Sequence, residues 1–132
     1  DTGYFDMIFC VSTIEHVGMD NGRYLPAAET VSRGKRPDVE SILEMKRILK
    51  SGGKLVLTMP FGKSKDYGWF IQYDKNMLDS LLKASGMRLL RKDFFKYDNG
   101  WCMCAEKELS HLLYNDNEAP AACGAACVLL TK

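Results

Sequence analysis

Hydrophobic positions fall along this chain in short continuous runs separated by stretches of helical period. Met7-Ile8-Phe9-Cys10-Val11 is an uninterrupted apolar run bounded by Ser12-Thr13, the pattern of a strand buried on both faces in a parallel sheet. Gly18 to Pro37 is rich in Gly, Pro, Asn, Arg and charge. It reads as a long loop, and loops of that length in compact domains are often functional. Val39, Ile42, Leu43, Met45, Ile48 and Leu49 then recur at helical spacing. Asp38 is expected to cap that helix, Lys46, Arg47 and Lys50 suit its negative end, and Gly52 or Gly53 suits its left-handed stop. Leu55-Val56-Leu57-Thr58-Met59 follows as a second buried strand, ending at Pro60, which has no N–H to give to a ladder.

The loop from Phe61 to Tyr73 leads to a second helix, with Asp74 as its cap and Met77, Leu78, Leu81 and Leu82 on one face. Tyr73 and Leu78 stand at the positions of a hydrophobic staple, and Gly86 is placed to end the helix. Met87 to Tyr97 reads as a longer strand whose Arg88, Arg91, Lys92 and Asp93 point to a sheet margin. A turn at Asp98-Asn99-Gly100 precedes a short helix over Ala105 to Leu113. Ala125 to Thr131 closes the chain as a return strand antiparallel to its predecessor. The expected fold is α/β: a doubly wound, mostly parallel sheet with an antiparallel C-terminal strand and right-handed crossovers.

Composition narrows the function classes. At 132 residues, 46% hydrophobic and 27% charged, the chain is one folded domain rather than a disordered segment. Eighteen basic against seventeen acidic residues make no field that would recruit nucleic acid or an anionic membrane, so neither is expected as a partner. No apolar run approaches the ~18 residues needed to span a bilayer and no signal peptide opens the chain, so a cytoplasmic location is expected. Cys10, Cys102, Cys104, Cys123 and Cys127 are odd in number and lack C-x-x-C spacing; they are expected as free thiols, with no metal. There is no G-x-G-x-x-G, no G-x-S-x-G elbow and no H-E-x-x-H. Ser51-Gly52-Gly53-Lys54 lacks the flanking residues of a phosphate loop.

The informative constellation is an ordered series. Phe5-Asp6-Met7-Ile8 precedes Ser12-Thr13-Ile14-Glu15-His16-Val17, then a helix ending Glu44-Met45-Lys46-Arg47-Ile48-Leu49-Lys50, then Gly52-Gly53-Lys54-Leu55. In this order and at these intervals the sequence resembles the C-terminal half of a class I S-adenosylmethionine-dependent methyltransferase. There a fourth strand reads like "FD-x-I", its end carries "EHV", and a helix ending "LKPGG" enters the fifth strand. Ser51 stands at the usual Pro. The resemblance runs from about Tyr4 to Thr131. It implies that the family's Gly-rich cofactor loop and acidic strand end lie upstream of Asp1. The chain is thus expected to be a fragment, the half of the domain without the main cofactor grip and inactive on its own.

The resemblance also implies roles. Ser12 and Thr13 are expected to line the methionine end of S-adenosylmethionine in the intact protein, and His16, with Glu15 beside it, to act as the base. Arg23, Tyr24, Phe61, Tyr67 and Trp69 are expected to form the pocket for a small-molecule or glycan acceptor oxygen or nitrogen. Some relatives hold a divalent metal with Glu-x-x-Glu-His, and Ser12 occupies the first Glu position, so no metal is expected. Trp101 is read as a lid or edge cover and His111 as structural. The alternative reading is a catalytically silent α/β interaction domain. Without a neighbour, the apolar strand of residues 5–11 carries none of the usual edge protections, and self-association through it is expected.

Overall fold

A computed structural model describes residues 2–22 and 36–132. Strand β1 (Phe5–Val11) ends in a 3₁₀ turn (Ile14–His16). Helix α1 (Pro37–Ile48) runs directly into β2 (Leu49–Pro60), and a small hairpin, β3 (Lys65–Asp66) and β4 (Ile71–Gln72), precedes α2 (Lys75–Ser85). Then come β5 (Arg88–Tyr97), β6 (Trp101–Cys104), the single-turn helix α3 (Glu106–Leu109) and β7 (Gly124–Thr131).

The main sheet has the order β1-β2-β7-β5-β6. β1 and β2 are parallel, and β7 runs antiparallel between β2 and β5. β1, β2 and β5 therefore share one direction, which gives the mixed, mostly parallel sheet expected. β7 is antiparallel to both of its neighbours, as a return strand must be.

The period of two decides what covers the sheet. Ile8 pairs with Leu55 and Leu55 with Leu130; Cys10 pairs with Leu57 and Leu57 with Val128. These rows face the helices and join Ile42 of α1, Leu78 and Leu81 of α2 and Leu109 of α3 in one core. Gly124 admits this packing: a Cβ there would meet the Phe61 carbonyl oxygen at 2.3 Å. The opposite face is different. Met7, Phe9 and Val11 are 42%, 66% and 56% exposed, and Phe9 continues across Val56 to Leu129. The expectation that β1 is buried on both faces is thus corrected: no helix among the described residues covers its second face.

Punctuation followed local chemistry in one helix and not in the other. In α2, Asp74 accepts the Met77 N–H at 2.9 Å and Gly86 takes the left-handed position at φ +57°. In α1, by contrast, Pro37 is the first helical residue and Arg36 precedes it as cap without a side-chain capping bond, so Asp38 stands inside the first turn rather than before it. Proline there gives up a donor that has no helical partner anyway. The C-terminal end of α1 has no glycine stop. Leu49 turns extended at once and pairs with Phe5, while Gly52, at φ +76°, lies inside the strand.

Three further expectations shift. β6 pairs with β5 across the Asp98-Asn99-Gly100 turn and was hidden because its Trp-Cys-Met-Cys sequence has no alternation. β5 is consequently one strand in from the edge. The helix expected over Ala105 to Leu113 shortens to Glu106–Leu109, where the Glu108 carboxylate accepts the Ala105 N–H at 2.9 Å.

An apolar edge strand with one bare face is a template for pairing. The 132-residue chain is expected to associate at high micromolar concentration, with β1 meeting β1 of a second copy antiparallel about a two-fold axis. Phe9→Lys should shift it toward monomer in sedimentation. A monomer whose Met7 to Val11 amides exchange rapidly would rule this pairing out.

Candidate active site

The carboxyl ends of β1 and β2 define a rim, the usual ligand side of an open α/β sheet. Ser12 leaves β1 with φ +47°, a left-handed backbone uncommon outside glycine and a few polar residues. Its N–H is held by the Thr58 carbonyl and Thr58 Oγ1, each at 3.1 Å. This turn brings Glu15 back beneath the rim. The Ser12 hydroxyl donates to Glu15 Oε1 at 2.7 Å.

Glu15 is only 2% exposed, and its Oε2 has no hydrogen-bond partner among the described residues. Burial raises its pKa, against the lowering effects of its own backbone N–H, the Ser12 hydroxyl and His16. A buried carboxyl with one oxygen unpaired is costly, because its water shell has been only half replaced.

His16 lies between Glu15 and the Trp69 carbonyl. Its Nδ1 lies 2.8 Å from the Trp69 carbonyl oxygen. A carbonyl only accepts, so the proton sits on Nδ1 and Nε2 is the basic nitrogen of the neutral ring. Nε2 stands 3.9 Å from Glu15 Oε1, and the ring packs at 5.1 Å from Trp69 and 5.9 Å from Phe70. Asp20 N–H donates to the Gly68 carbonyl at 3.2 Å. The β3–β4 hairpin is therefore latched to the turn after β1 at two points.

Against this frame the expected site residues separate. Ser12 and Thr13 do lie at the strand end and are exposed; the Thr13 hydroxyl donates to the Val11 carbonyl at 2.8 Å. Tyr67 and Trp69 lie near the rim as half-buried members of an aromatic group. Tyr67 stacks on Phe70 at 4.6 Å, and its hydroxyl accepts the Tyr114 N–H. Phe61 is 1% exposed and packs on Phe94 within the core. Arg23 and Tyr24 lie outside the described residues. Trp101 stands exposed on the distant β6 hairpin, 5.7 Å from Tyr97, and His111 is exposed.

The rim also contains a cavity of about 240 Å³ that includes Glu15, Met19, Arg36, Asp38, Tyr73 and Met77 in its lining. Three of its polar members are mutually engaged. Arg36 Nε and Nη2 donate to the two oxygens of Asp38 at 3.1 Å each, and the Tyr73 hydroxyl donates to Asp38 Oδ2 at 3.2 Å. Burial pushes Asp38 up, but the Arg36 hydrogen bond, together with the Val39 N–H, holds it below its ordinary value. Burial, then the Asp38 charge, pushes Tyr73 far up, so it remains a donor. Their sequence positions predict a cap at Asp38 and a staple at Tyr73, and neither pattern foretells this cluster. Arg36, two positions from Asp38, was the available signal.

The fold has relatives among solved structures. The chain aligns over 100% of its length with a 1,6-didemethyltoxoflavin-N1-methyltransferase of Burkholderia thailandensis, at TM-score 0.59 and 9% identity, covering 45% of that protein. A SAM-dependent methyltransferase of Archaeoglobus fulgidus aligns with 99% of the chain at TM-score 0.52 and 13% identity, over 61% of its own length. The (4+2)-cyclase SpnF aligns with 99% of it at 0.53 and 15% identity, over 50% of its own length. The chain thus has the fold of class I S-adenosylmethionine-dependent methyltransferases and spans about half the length of such proteins. No family model and no curated protein matches the sequence.

Because Glu15 binds its proton more tightly folded than unfolded, stability should fall as pH rises above the ordinary glutamate value toward the raised one. Glu15→Gln keeps an acceptor for Ser12 and removes this titration. Thermal melts should show the variant gaining on the parent by about 1 kcal/mol near neutral pH, and less near pH 4. A variant that loses ground with rising pH would contradict the assignment.

Proposed function

We propose that the chain forms the acceptor-side half of a domain that transfers a methyl group from S-adenosylmethionine to an oxygen or nitrogen of a small-molecule or glycan acceptor. The observation that carries this reading is His16, fixed by the Trp69 carbonyl with Nε2 as its basic nitrogen, at the carboxyl end of a methyltransferase-type sheet. The rim suits the edge of the cofactor: Ser12 and Thr13 present exposed hydroxyl oxygens where the strand ends, and these two residues would hold its methionine end. When bound, S-adenosylmethionine supplies an electrophilic methyl on a sulfonium centre. His16 Nε2 takes the proton that the acceptor loses as it becomes the nucleophile, a role suited to an imidazole nitrogen. Glu15, 3.9 Å away, steadies the imidazolium that results. The aromatic side chains of Tyr67 and Trp69 are suited to an apolar acceptor surface.

In this reading the main cofactor grip is made by the half of the fold that this chain does not span. Methyl transfer to nitrogen is named for one protein of this fold, the 1,6-didemethyltoxoflavin-N1-methyltransferase. SpnF, a cyclase, is a reminder that fold does not fix reaction. The second reading, an interaction domain without catalysis, is favoured by the bare apolar face of Met7, Phe9 and Val11. No helix of the described residues is long and apolar enough to cross a membrane.

In the intact protein, His16→Ala should lower turnover by about 10²–10⁴ with little change in cofactor affinity. An effect under about fivefold would leave His16 a structural residue holding the hairpin. Absence of any methyl transfer by the intact protein would favour the interaction domain.

A further inference from the structure

At the edge of the sheet opposite β1, strand β6 holds Cys102 and Cys104 two positions apart, paired with Lys96 and Phe94 of β5. Alternate side chains of a strand share a face, so both thiols stand on one side of β6, and the exposed Trp101 and Met103 on the other. Phe94, the partner of Cys104, also pairs with Ala126 of the helix-facing core, which identifies the side of the thiols. Cys102 is exposed and its Sγ donates to the Lys96 carbonyl at 3.4 Å, while Cys104 is half-buried. Burial, then Glu108, then Cys102 raise the Cys104 thiol, and Lys96 lowers it. Glu108 itself is engaged: Oε1 accepts the Ala105 N–H and Oε2 stands 3.9 Å from Lys96 Nζ. Separation decides what the pair of thiols can do. Two positions along a strand put the Cβ atoms about 6.7 Å apart, too far for a disulfide, which needs about 3.5–4.5 Å. Two metal–sulfur bonds of about 2.3 Å in line span about 4.6 Å, and rotation of each thiol about its Cα–Cβ bond closes the remainder.

We propose that Cys102 and Cys104 chelate one thiophilic, closed-shell monovalent cation, of the copper(I) class, between their two sulfurs on the helix-facing side of β6. Each thiol binds as the thiolate, its proton passing to solvent as the metal–sulfur bond forms, and no oxidation state changes. Soft sulfur ligands select such an ion over hard cations. Zinc in a structural site takes four ligands, and no group of three His, Cys, Asp or Glu side chains placed for a metal occurs among the described residues. A dithiolate around a monovalent ion keeps one negative charge, and the Lys96 ammonium, which already acts on the Cys104 thiol, offsets it. C-x-x-C spacing suits turns and helix starts, whereas on an extended strand C-x-C is the spacing that puts two thiols on one side. A sequence judged against C-x-x-C alone therefore passes over this pair.

The test is competition for copper(I) between the reduced protein and bicinchoninate, without oxygen and at protein concentrations where the chain is monomeric. The chain should take one equivalent, and X-ray absorption at the copper edge should give two sulfur neighbours. Cys102→Ser, at an exposed position, should weaken binding by about 10²-fold or more, because losing one arm of a chelate removes its effective concentration. Cys102→Ser combined with Met103→Cys keeps two thiols in β6 but divides them between its faces, and should bind as weakly as Cys102→Ser alone. Cys127→Ser, changed where β7 pairs with Asp93 on the other face, should bind like the parent. Amide spectra that match the parent outside β5 and β6 separate lost binding from lost folding. Parent affinity in Cys102→Ser or in the double variant, three or more sulfurs around the ion, or chains linked by the ion in sedimentation would overturn the proposal.

Discussion

One turn organises the rim of the sheet: Ser12 leaves β1 in a left-handed conformation and hydrogen-bonds Glu15 back beneath the strand end. That constraint forces a carboxyl into the interior with half of its hydrogen-bonding capacity met. The adjacent His16 is set against the Trp69 carbonyl. The cavity, the imidazole orientation and the position of the β3–β4 hairpin all follow from this reversal. Strained or under-satisfied groups of this kind persist only where surrounding structure over-determines them, and they gather at functional sites.

The scaffold that makes the turn possible is β7. Inserted antiparallel between β2 and β5, it brings Ala126, Val128 and Leu130 against Met59, Leu57 and Leu55, and the helix-facing rows become one core. With β2 held on both sides, its Thr58 is a fixed anchor for Ser12. Among the described residues, the other side of β1 has no such anchor. The same strand is therefore paired where it meets β2 and open along its other edge among the described residues.

The elements with strong period were legible in the sequence. α2 carries its cap, staple and stop at Asp74, Tyr73 with Leu78, and Gly86, and the structure uses Asp74 and Gly86 as read. Elsewhere tertiary context overrode local chemistry. Asp38 has the side chain of a cap, yet Arg36 and Tyr73 compete for it and win. Gly52 has the look of a helix stop, yet pairing of Leu49 with Phe5 extends the strand to the end of the helix. β6 was silent because Trp101, Cys102, Met103 and Cys104 lack alternation, and its partner β5 supplies the order. For the site, the sequence pointed to Ser12, Thr13, Glu15 and His16 by their order behind an apolar strand. It could not separate the buried Glu15 from its exposed neighbours, because burial here arises from a backbone dihedral that no residue type demands. Asp38 and Tyr73 lie 23 and 58 residues beyond Glu15 in the chain, and only folding brings them to one cavity.

Titration of the Glu15 side-chain carboxyl by carbon-13 NMR tests this account most directly. The account predicts a midpoint above the ordinary glutamate value of about 4.3, with Ser12→Ala altering it because one of the carboxyl's few partners is removed. A midpoint at or below that value, unmoved by Ser12→Ala, would mean that Glu15 is solvated and that the rim is not built around a buried carboxyl.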